Sequence, residues 1–195
     1  MKKIFLFSTL LLISLAMAHT GYACVGRILT IGALSSTNEQ LLAEMLATLI
    51  NERTGTTVNI KYFENQSELY SAVKNGTVSI LIENTERAAA LLGKTKPADN
   101  KEAYALVREG YKKSLDLVLL DAFGVTPDEG GKGQLYYVPI ITTEVLTDYP
   151  ALPRVINKLG GVTDEKSYLK LFEAVKSGDK VKRVAKDYLK QRRLI

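Results

Sequence analysis

Residues 28–46 read Ile-Leu-Thr-Ile-Gly-Ala-Leu-Ser-Ser-Thr-Asn-Glu-Gln-Leu-Leu-Ala-Glu-Met-Leu, and this stretch decides the fold class. Its first seven residues are almost all apolar, which predicts a buried strand. Ser36 and Glu39 then have the spacing of a helix N-terminus. Apolar residues follow at helical spacing, and Gly55 predicts the end of that helix because glycine readily adopts the left-handed conformation. A strand followed directly by a helix is the unit from which parallel sheets are built.

The same alternation of strand and helix repeats downstream. Residues 57–63 alternate apolar and polar side chains, which is typical of a strand, and residues 67–74 have a helical pattern. Residues 78–82 form a third apolar run, and Asn84 can cap the helix that follows. This order predicts an α/β fold with a mostly parallel sheet of about five strands flanked by helices.

The second half of the chain predicts further strands and then helices only. Leu115 to Phe123 is a buried apolar run, and Gly124 to Gln134 is a polar, glycine-rich loop. Leu135 to Thr142 has the composition of a strand. Because Pro139 lacks a backbone N–H, we expect that strand to lie at an edge or to cross the sheet. From Thr143 onward the pattern is helical, and we expect the apolar stripe of the last helix to pack on the sheet.

The N-terminus has the pattern of a secretory signal peptide. Two lysines precede an uncharged, mostly apolar stretch from Ile4 to Ala18. Small residues permit cleavage after Ala18 or after Ala23, and the second site leaves a short region between the apolar stretch and the cut. We therefore expect residues 1–23 to be removed, residues 24–195 to form one domain, and the mature protein to be periplasmic or otherwise exported.

Cys24 would become the first residue of the mature chain after cleavage at Ala23. A lipoprotein carries its lipid on such a cysteine, but Gly21 stands where lipoprotein signals usually have leucine. Lipidation of Cys24 and an unmodified N-terminus therefore both remain open. We expect contact with a membrane only through such an anchor or through a partner protein.

The composition excludes several kinds of site. His19, in or beside the predicted signal peptide, is the only histidine, and Cys24 is the only cysteine. Ser-His and Cys-His catalysis and a His/Cys metal site are therefore excluded. Catalysis by carboxylates alone stays open, but nothing in the spacing of Asp116, Asp121 and Glu83 pairs them. We therefore expect a non-catalytic protein without a cofactor. The formal net charge is +5, and the excess of basic residues lies between Lys176 and Arg193. We interpret these residues as a solvated helix face and not as a nucleic-acid site, because the signal peptide argues against a nucleic-acid partner.

Polar residues follow the first and the third predicted strands. In open α/β sheets, ligands bind beyond the carboxyl ends of strands, beside helix N-termini whose backbone N–H groups are free. The candidate ligand-binding residues in these two positions are Ser35, Ser36, Thr37, Asn38, Glu83, Asn84 and Thr85. The alternative is that Ser36 and Asn84 only cap their own helices.

Several of these segments, taken in order, resemble the glycine betaine/choline (OpuAC-type) substrate-binding proteins of ABC transporters. Leu29–Gly32 with Thr37–Leu46 is similar to the opening strand and helix of that family, and Glu83-Asn84-Thr85 falls where the family commonly has Glu-Tyr-Thr-Gly. Leu115 to Phe123 resembles the strand that leads into the family's second lobe, and Tyr149–Leu152 resembles the segment that returns from it. The resemblance implies a type 2 periplasmic-binding-protein-like fold and a small polar or quaternary-ammonium solute. It also implies an ABC permease or another envelope protein as partner.

The sequence departs from this family in two respects. Family members hold a quaternary ammonium in an aromatic cage by cation–π attraction, but Asn84 replaces the usual tyrosine and the chain has no tryptophan. Tyr136, Tyr137 or Phe123 would have to supply the rings, and we include the two tyrosines among the candidate ligand-binding residues. The second lobe is also missing, because only Gly124 to Gln134 join the outgoing and returning strands.

The sequence thus predicts a one-lobed solute-binding component related to ABC-type glycine betaine, choline and proline transport, which binds and does not catalyse. The alternative is a one-lobed envelope interaction protein that has lost osmolyte binding. In either case we expect the candidate polar surface to be open to solvent. An open surface without a second wall predicts weak binding of any lone small molecule.

Overall fold

The computed structural model describes residues 28–128 and 134–195. The predicted signal peptide and Cys24 lie outside these residues, as does the 129–133 part of the glycine-rich loop. The described strands are β1 (Leu29–Leu34), β2 (Val58–Phe63), β3 (Ile80–Asn84), β4 (Leu117–Leu119), β5 (Gly124–Pro127) and β6 (Gln134–Thr142). The described helices are α1 (Thr37–Thr54), α2 (Gln66–Lys74), α3 (Thr85–Leu91), α4 (Asn100–Ser114), α5 (Thr143–Asp148), α6 (Leu152–Ile156), α7 (Lys166–Lys176) and α8 (Val181–Gln191), with 3₁₀ turns at Asn157–Leu159 and Val162–Asp164.

The strands form one sheet in the order β2-β1-β3-β6-β4, and β5 adds to β6 beyond the end of β4. Strand β1 pairs in parallel with β2 and β3. Strand β6 pairs antiparallel with β3, β4 and β5. All the described strands except β6 therefore point the same way. The predicted mostly parallel α/β sheet is confirmed, with six strands instead of about five.

The prediction that Pro139 places β6 at an edge or across the sheet is wrong, because β6 lies between β3 and β4. The carbonyl of Pro139 accepts a hydrogen bond from the N–H of Leu120 at 3.0 Å, so the backbone of Pro139 faces the β4 side. Strand β4 ends at Leu119, and the next bond on that side runs from the N–H of Phe123 to the carbonyl of Tyr137. The proline thus lies opposite the break between β4 and β5, where no ladder bond needs its missing donor.

Residues 124–127, predicted as part of a loop, form strand β5 instead. Gly124 pairs with Tyr137 and Pro127 pairs with Gln134, so β5 and β6 form a hairpin. Gly124 has a φ of +113°, and an added Cβ would lie 2.5 Å from Oδ1 of Asp164, so only glycine fits there. The outgoing and returning strands therefore join within one sheet, and the single lobe predicted from the sequence is confirmed for the described residues.

Helices cover both faces of this sheet. Helix α1 and the C-terminal helices enclose one apolar core with the strands, and helices α2, α3 and α4 enclose the other. Helix α8 buries Val184, Ala185 and Tyr188, so its apolar stripe packs on the same lobe as predicted. It packs mainly against α1 and so forms a layer outside that helix. The sequence had instead predicted direct contact between this stripe and the strands. None of the described helices is long and apolar enough to cross a membrane.

Candidate functional site

The first and third strands end side by side, and a polar side chain begins a helix at each end. Because β1 and β3 are parallel neighbours, their carboxyl ends meet at one edge of the sheet. The Oγ of Ser36 accepts a hydrogen bond from the N–H of Glu39 at 3.3 Å, and Oδ1 of Asn84 accepts one from the N–H of Arg87 at 2.9 Å. Ser36 and Asn84 therefore cap α1 and α3, as the sequence predicted.

Glu39 does more than complete the capping pattern at the start of α1. Its side chain is fully buried, and Oε2 accepts a hydrogen bond from the N–H of Leu34 at 2.6 Å, which fixes the end of β1. Its other oxygen, Oε1, accepts from Nη1 of Arg87 at 2.7 Å. From the sequence, Glu39 was predicted only as part of a capping pattern. The structure shows that it links the start of α1 to the start of α3.

Glu83, at the end of β3, is the second buried carboxylate of this network. Its Oε1 accepts from Nε of Arg87 at 2.6 Å and from the N–H of Asn84 at 2.9 Å. Its Oε2 accepts from Nε2 of Gln66 at 3.1 Å and from the hydroxyl of Tyr70 at 3.2 Å. Every oxygen of this carboxylate is therefore satisfied, which a buried charged group requires.

One guanidinium serves both carboxylates, and the pKa shifts follow from this sharing. Burial raises the pKa of Glu83, while the charge of Arg87 acts in the opposite direction. For Arg87, burial alone would lower the pKa, but the charges of Glu83 and Glu39 outweigh burial and the net pKa is raised. Burial, with the charge of Glu83, also raises the pKa of Tyr70. Arg87 is therefore held as a cation at the centre of the network.

Two further hydrogen bonds close the side of the site that faces the C-terminal half. Nδ2 of Asn38 donates to the carbonyl of Pro127 at 3.1 Å, which ties α1 to β5. The hydroxyl of Tyr168, on α7, donates to Oδ1 of Asn38 at 3.1 Å. Asn38 therefore joins three elements that are far apart in the sequence, and it has little freedom to turn toward a ligand.

Tyr137 and Tyr136 lie on opposite faces of β6, and the faces decide which one joins the site. Tyr137 is opposite Asn84 in the β3–β6 register. Its pKa is raised by burial and then by the charge of Glu39, while side-chain hydrogen bonds with Ser36 and Asn84 lower it. Tyr136 packs against the other core, and burial and the charges of Asp164 and Asp99 raise its pKa. The structure thus brings Tyr137 together with the two caps and places Tyr136 elsewhere.

The prediction that this surface is open to solvent is wrong for most of its residues. Ser35 is exposed and Ser36 and Thr37 are half-buried. The other four candidates at the strand ends are buried, namely Asn38, Glu83, Asn84 and Thr85. The physical reason is that Arg87, Tyr137 and Tyr168 fold over them and satisfy most of their polar groups within the chain.

A cavity of about 410 Å³ adjoins the exposed side of Arg87. Its lining residues are Asn84, Glu86, Arg87, Ala90, Asp128, Gln134 and Leu135. Nη2 of Arg87 is buried without a hydrogen-bond partner, as are the hydroxyls of Thr85 and Thr126, among the described residues. A cavity with one cation and two carboxylates on its wall suits a small polar or zwitterionic molecule. A larger cavity of about 910 Å³, between α2 and the ends of β4 and β6, contains none of the sequence-predicted site residues.

Sequence reasoning missed Glu39 and Arg87 as site residues. Arg87 follows Glu83 by four residues, across the turn from strand to helix at the Asn84 cap, and this closeness in sequence is the signal that could have found Arg87. No group of three metal-ligating side chains occurs in the part of the chain that the structure describes. The site is therefore a polar binding edge at the carboxyl ends of β1 and β3, in a single-lobe α/β domain.

Comparison with known proteins assigns that domain to a family. The model of the substrate-binding domain of ABC-type glycine betaine transport systems matches residues 28–131. The chain belongs to this family. No curated protein sequence matches it.

Solved structures share the fold at low sequence identity. A glycine betaine/carnitine/choline ABC transporter structure is 18% identical, with a TM-score of 0.74, over 87% of this chain and 99% of that one. Apo YehZ from Escherichia coli is 13% identical, with a TM-score of 0.73, over 87% and 100%. Lactococcal OpuAC, in a closed form complexed with glycine betaine, is 10% identical, with a TM-score of 0.50, over 86% and 96%. These likenesses support the fold, and they do not identify a solute for this chain.

Proposed function

We propose that this protein is an exported solute-binding component of an ABC-type import system related to glycine betaine, choline and proline transport. The observation that carries the proposal is the family match, since residues 28–131 include both polar strand ends and the Arg87 network. In this role the protein binds a solute and passes it to a permease, and it catalyses no reaction. A lipid on Cys24 or the permease itself would hold it at the membrane.

The cavity beside Arg87 is the place we assign to the solute. A solute carboxylate would accept hydrogen bonds from the guanidinium of Arg87, whose side chain is 25% exposed. A quaternary ammonium would lie toward Glu86 and Asp128. Asn84 lines this cavity and accepts a hydrogen bond from the N–H of Arg87. Ser36 and Tyr137 lie behind it, with Ser35, Thr37 and Thr85 beside them. Tyr136 has no part in this assignment because it lies on the other face of β6.

Binding should be weak, because one lobe supplies only one wall. Small ligands gain affinity when most of their surface is buried, and the described residues form no second lobe. We expect a dissociation constant in the range of about 0.1 mM or weaker for the isolated chain. A partner that covers the cavity would strengthen binding.

Calorimetric titration of the mature protein tests this proposal. Glycine betaine has both a carboxylate and an ammonium group, whereas choline lacks the carboxylate, so betaine should bind more tightly if Arg87 makes the contact described. Glu86→Ala should weaken binding of both solutes, whereas Glu102→Ala should not. Both glutamates are exposed and lie in the first turn of a helix, so the pair controls for a general loss of negative charge. Micromolar or tighter binding by the isolated monomer would contradict the one-wall geometry.

A second candidate function is that of an envelope interaction protein that has lost osmolyte binding. The burial of Asn38, Glu83, Asn84 and Thr85 by the chain's own side chains favours it, since these residues would otherwise be available to a ligand. Absence of heat with glycine betaine, choline and proline at millimolar concentration, together with retained binding to an envelope protein, would support this candidate over the first.

A further inference from the structure

Strand β2 lies at an edge of the sheet, and its outer side pairs with no other described strand. The N–H of Leu29 donates to the carbonyl of Thr57 at 3.1 Å, and Leu29 is opposite Val58 in the register. In a parallel pair with this pattern, the backbone N–H and C=O groups of alternate residues of the second strand point toward the first strand. Asn59 and Lys61 therefore face β1, and the backbone groups of the intervening residues face outward.

The outward-facing residues are Val58, Ile60 and Tyr62, and their side chains share one face of the sheet because the side-chain period of a strand is two. Val58 and Ile60 are half-buried against the larger apolar core. Tyr62 is 40% exposed, one of the few large apolar side chains with so much exposure among the described residues. An edge strand six residues long with free backbone groups and apolar side chains is a template for pairing with another strand.

We propose that β2 pairs antiparallel with β2 of a second copy of this chain, with Ile60 opposite Ile60 of that copy. This proposal does not depend on the solute-binding function, since β2 lies two strands away from the Arg87 cavity's strand β3 in the sheet order. In this register Val58 is opposite Tyr62 of the second copy, and the reverse pair is present by symmetry. All outward backbone groups of the three residues then bond across the interface.

Charge selects this register over the neighbouring one. With a two-fold axis perpendicular to the sheet, equivalent side chains of the two copies lie on the same face of the joined sheet. Directly opposed residues must therefore be both even-numbered or both odd-numbered. A pair centred on Lys61 would place two ammonium groups directly opposite each other, which is destabilising. A pair centred on Ile60 places Lys61 opposite Asn59, and it also pairs all three outward-facing residues, Val58, Ile60 and Tyr62, with one another.

The charges in the groove beside β2 are balanced, which favours a second copy as the partner. This groove, of about 480 Å³, is lined by Val58, Ile60 and Tyr62 together with two carboxylates and two ammonium groups from α1 and α8, namely Glu44, Glu52, Lys182 and Lys186. Because the formal charges of these four groups cancel, two copies approach without net repulsion at this surface. A strongly acidic or strongly basic partner would gain nothing from such a balanced groove.

Sedimentation velocity and disulfide cross-linking of the mature protein test the proposal. In a Cys24→Ala background, Ile60→Cys should give a disulfide-linked dimer under mild oxidation, because the Cα atoms of a directly opposed, hydrogen-bonded pair lie about 5.5 Å apart. Asn59→Cys is the matched control, because it leaves Lys61 in place. Its Cα would lie roughly 8 Å from its counterpart, which is too far for a disulfide.

A surface variant supplies the second readout without a cysteine. Tyr62→Lys should raise the dimer dissociation constant about tenfold or more, since two cross-strand pairs lose their apolar contact by symmetry. Circular dichroism should confirm that this variant remains folded. A protein that stays monomeric up to millimolar concentration would overturn the proposal. So would cross-linking through Asn59→Cys that is as fast as through Ile60→Cys.

Discussion

Nη1 of Arg87 lies 2.7 Å from Oε1 of Glu39, and this ion pair joins the first turn of α3 to the first turn of α1. The same guanidinium binds Glu83 through Nε. Both carboxylates are fully buried, whereas the guanidinium reaches the surface at one side. The edge of the sheet where the solute is proposed to bind is therefore held together by one cation that satisfies two anions.

Arg87→Ala should destabilise the protein strongly. It leaves two buried carboxylates without their counterion, and removal of one partner from a buried ion pair typically costs about 3–5 kcal/mol. Urea unfolding measures the loss. Arg183→Ala is the control, because the pair between Arg183 and Asp179 is exposed on both sides and should contribute less than about 0.5 kcal/mol. Similar losses for the two variants would contradict the proposed role of Arg87.

Glu83 should give stability a pH dependence that a glutamine variant lacks. Burial raises the pKa of Glu83 above its ordinary value of 4.5 in the folded protein, against the opposing charge of Arg87. The folded state then binds a proton more tightly than the unfolded state. The stabilisation from this group is fully present below pH 4.5 and is lost as the pH rises through the folded pKa.

The test is Glu83→Gln, which removes this titration. The free energy of unfolding of the variant, relative to the wild type, should rise as the pH increases from 4.5. Urea unfolding at a series of pH values measures the difference. A difference that stays constant over this range, or that falls, would show that the folded protein does not favour the protonated carboxyl.

Ser36→Ala should cost about 1 kcal/mol, because it removes the side-chain acceptor at the start of α1. Ser35→Ala is the matched control, since Ser35 is exposed and does not cap the helix. It should change the free energy of unfolding by less than about 0.5 kcal/mol. Equal effects at the two serines would argue that the hydrogen bond from Glu39 to Ser36 contributes nothing to stability.

Gly32→Ala should destabilise the protein through packing. A Cβ at this position in β1 would lie 2.5 Å from Cδ1 of Leu69 and 2.9 Å from Cγ1 of Val78. We expect a loss of about 1–3 kcal/mol, the usual cost of overpacking a core. Gly55→Ala has open space around its Cβ but a φ of +71°, so it should cost about 1 kcal/mol through backbone strain alone. A Gly32→Ala variant as stable as the wild type would contradict the close approach of α2 to β1.

Export should remove the N-terminal residues. The basic head and apolar stretch predict that intact-mass measurement of the envelope protein shows loss of about 18–23 residues. A measured mass larger than that calculated for the cleaved polypeptide, with the increase located at its N-terminus, would assign a lipid to Cys24. Protein that retains Met1 in the cytosol would contradict the signal-peptide prediction.

The sequence predicted the features of this protein that depend on local pattern. Ser36 and Asn84 act as caps because capping needs only a short polar side chain before a helix, and both positions were correct. The single lobe followed from the short connection between the outgoing and returning strands. The central position of β6 was not predictable in this way. It depends on the break between β4 and β5 opposite Pro139, and this break is a property of the assembled sheet.

The candidate site was only partly predictable for a similar reason. Sequence placed Asn84 and Tyr137 among the candidates, but their contact depends on the register of β3 against β6. The same register excludes Tyr136, which is adjacent in sequence. Arg87 was not among the candidates, and only the tertiary structure shows that it lies between two buried carboxylates.

The position of β6 also fixes the order in which the sheet can assemble. Strand β6 is the last strand of the described chain, yet it fills the gap between β3 and β4. During synthesis, β1, β2 and β3 can pair early, but β4 has no strand beside it until residues 134–142 emerge. Contacts between such distant parts of a chain slow folding. Fragments that end before residue 134 should therefore form only the three-stranded part β2-β1-β3 and leave β4 and β5 unpaired, with the edge of β3 available for non-native pairing.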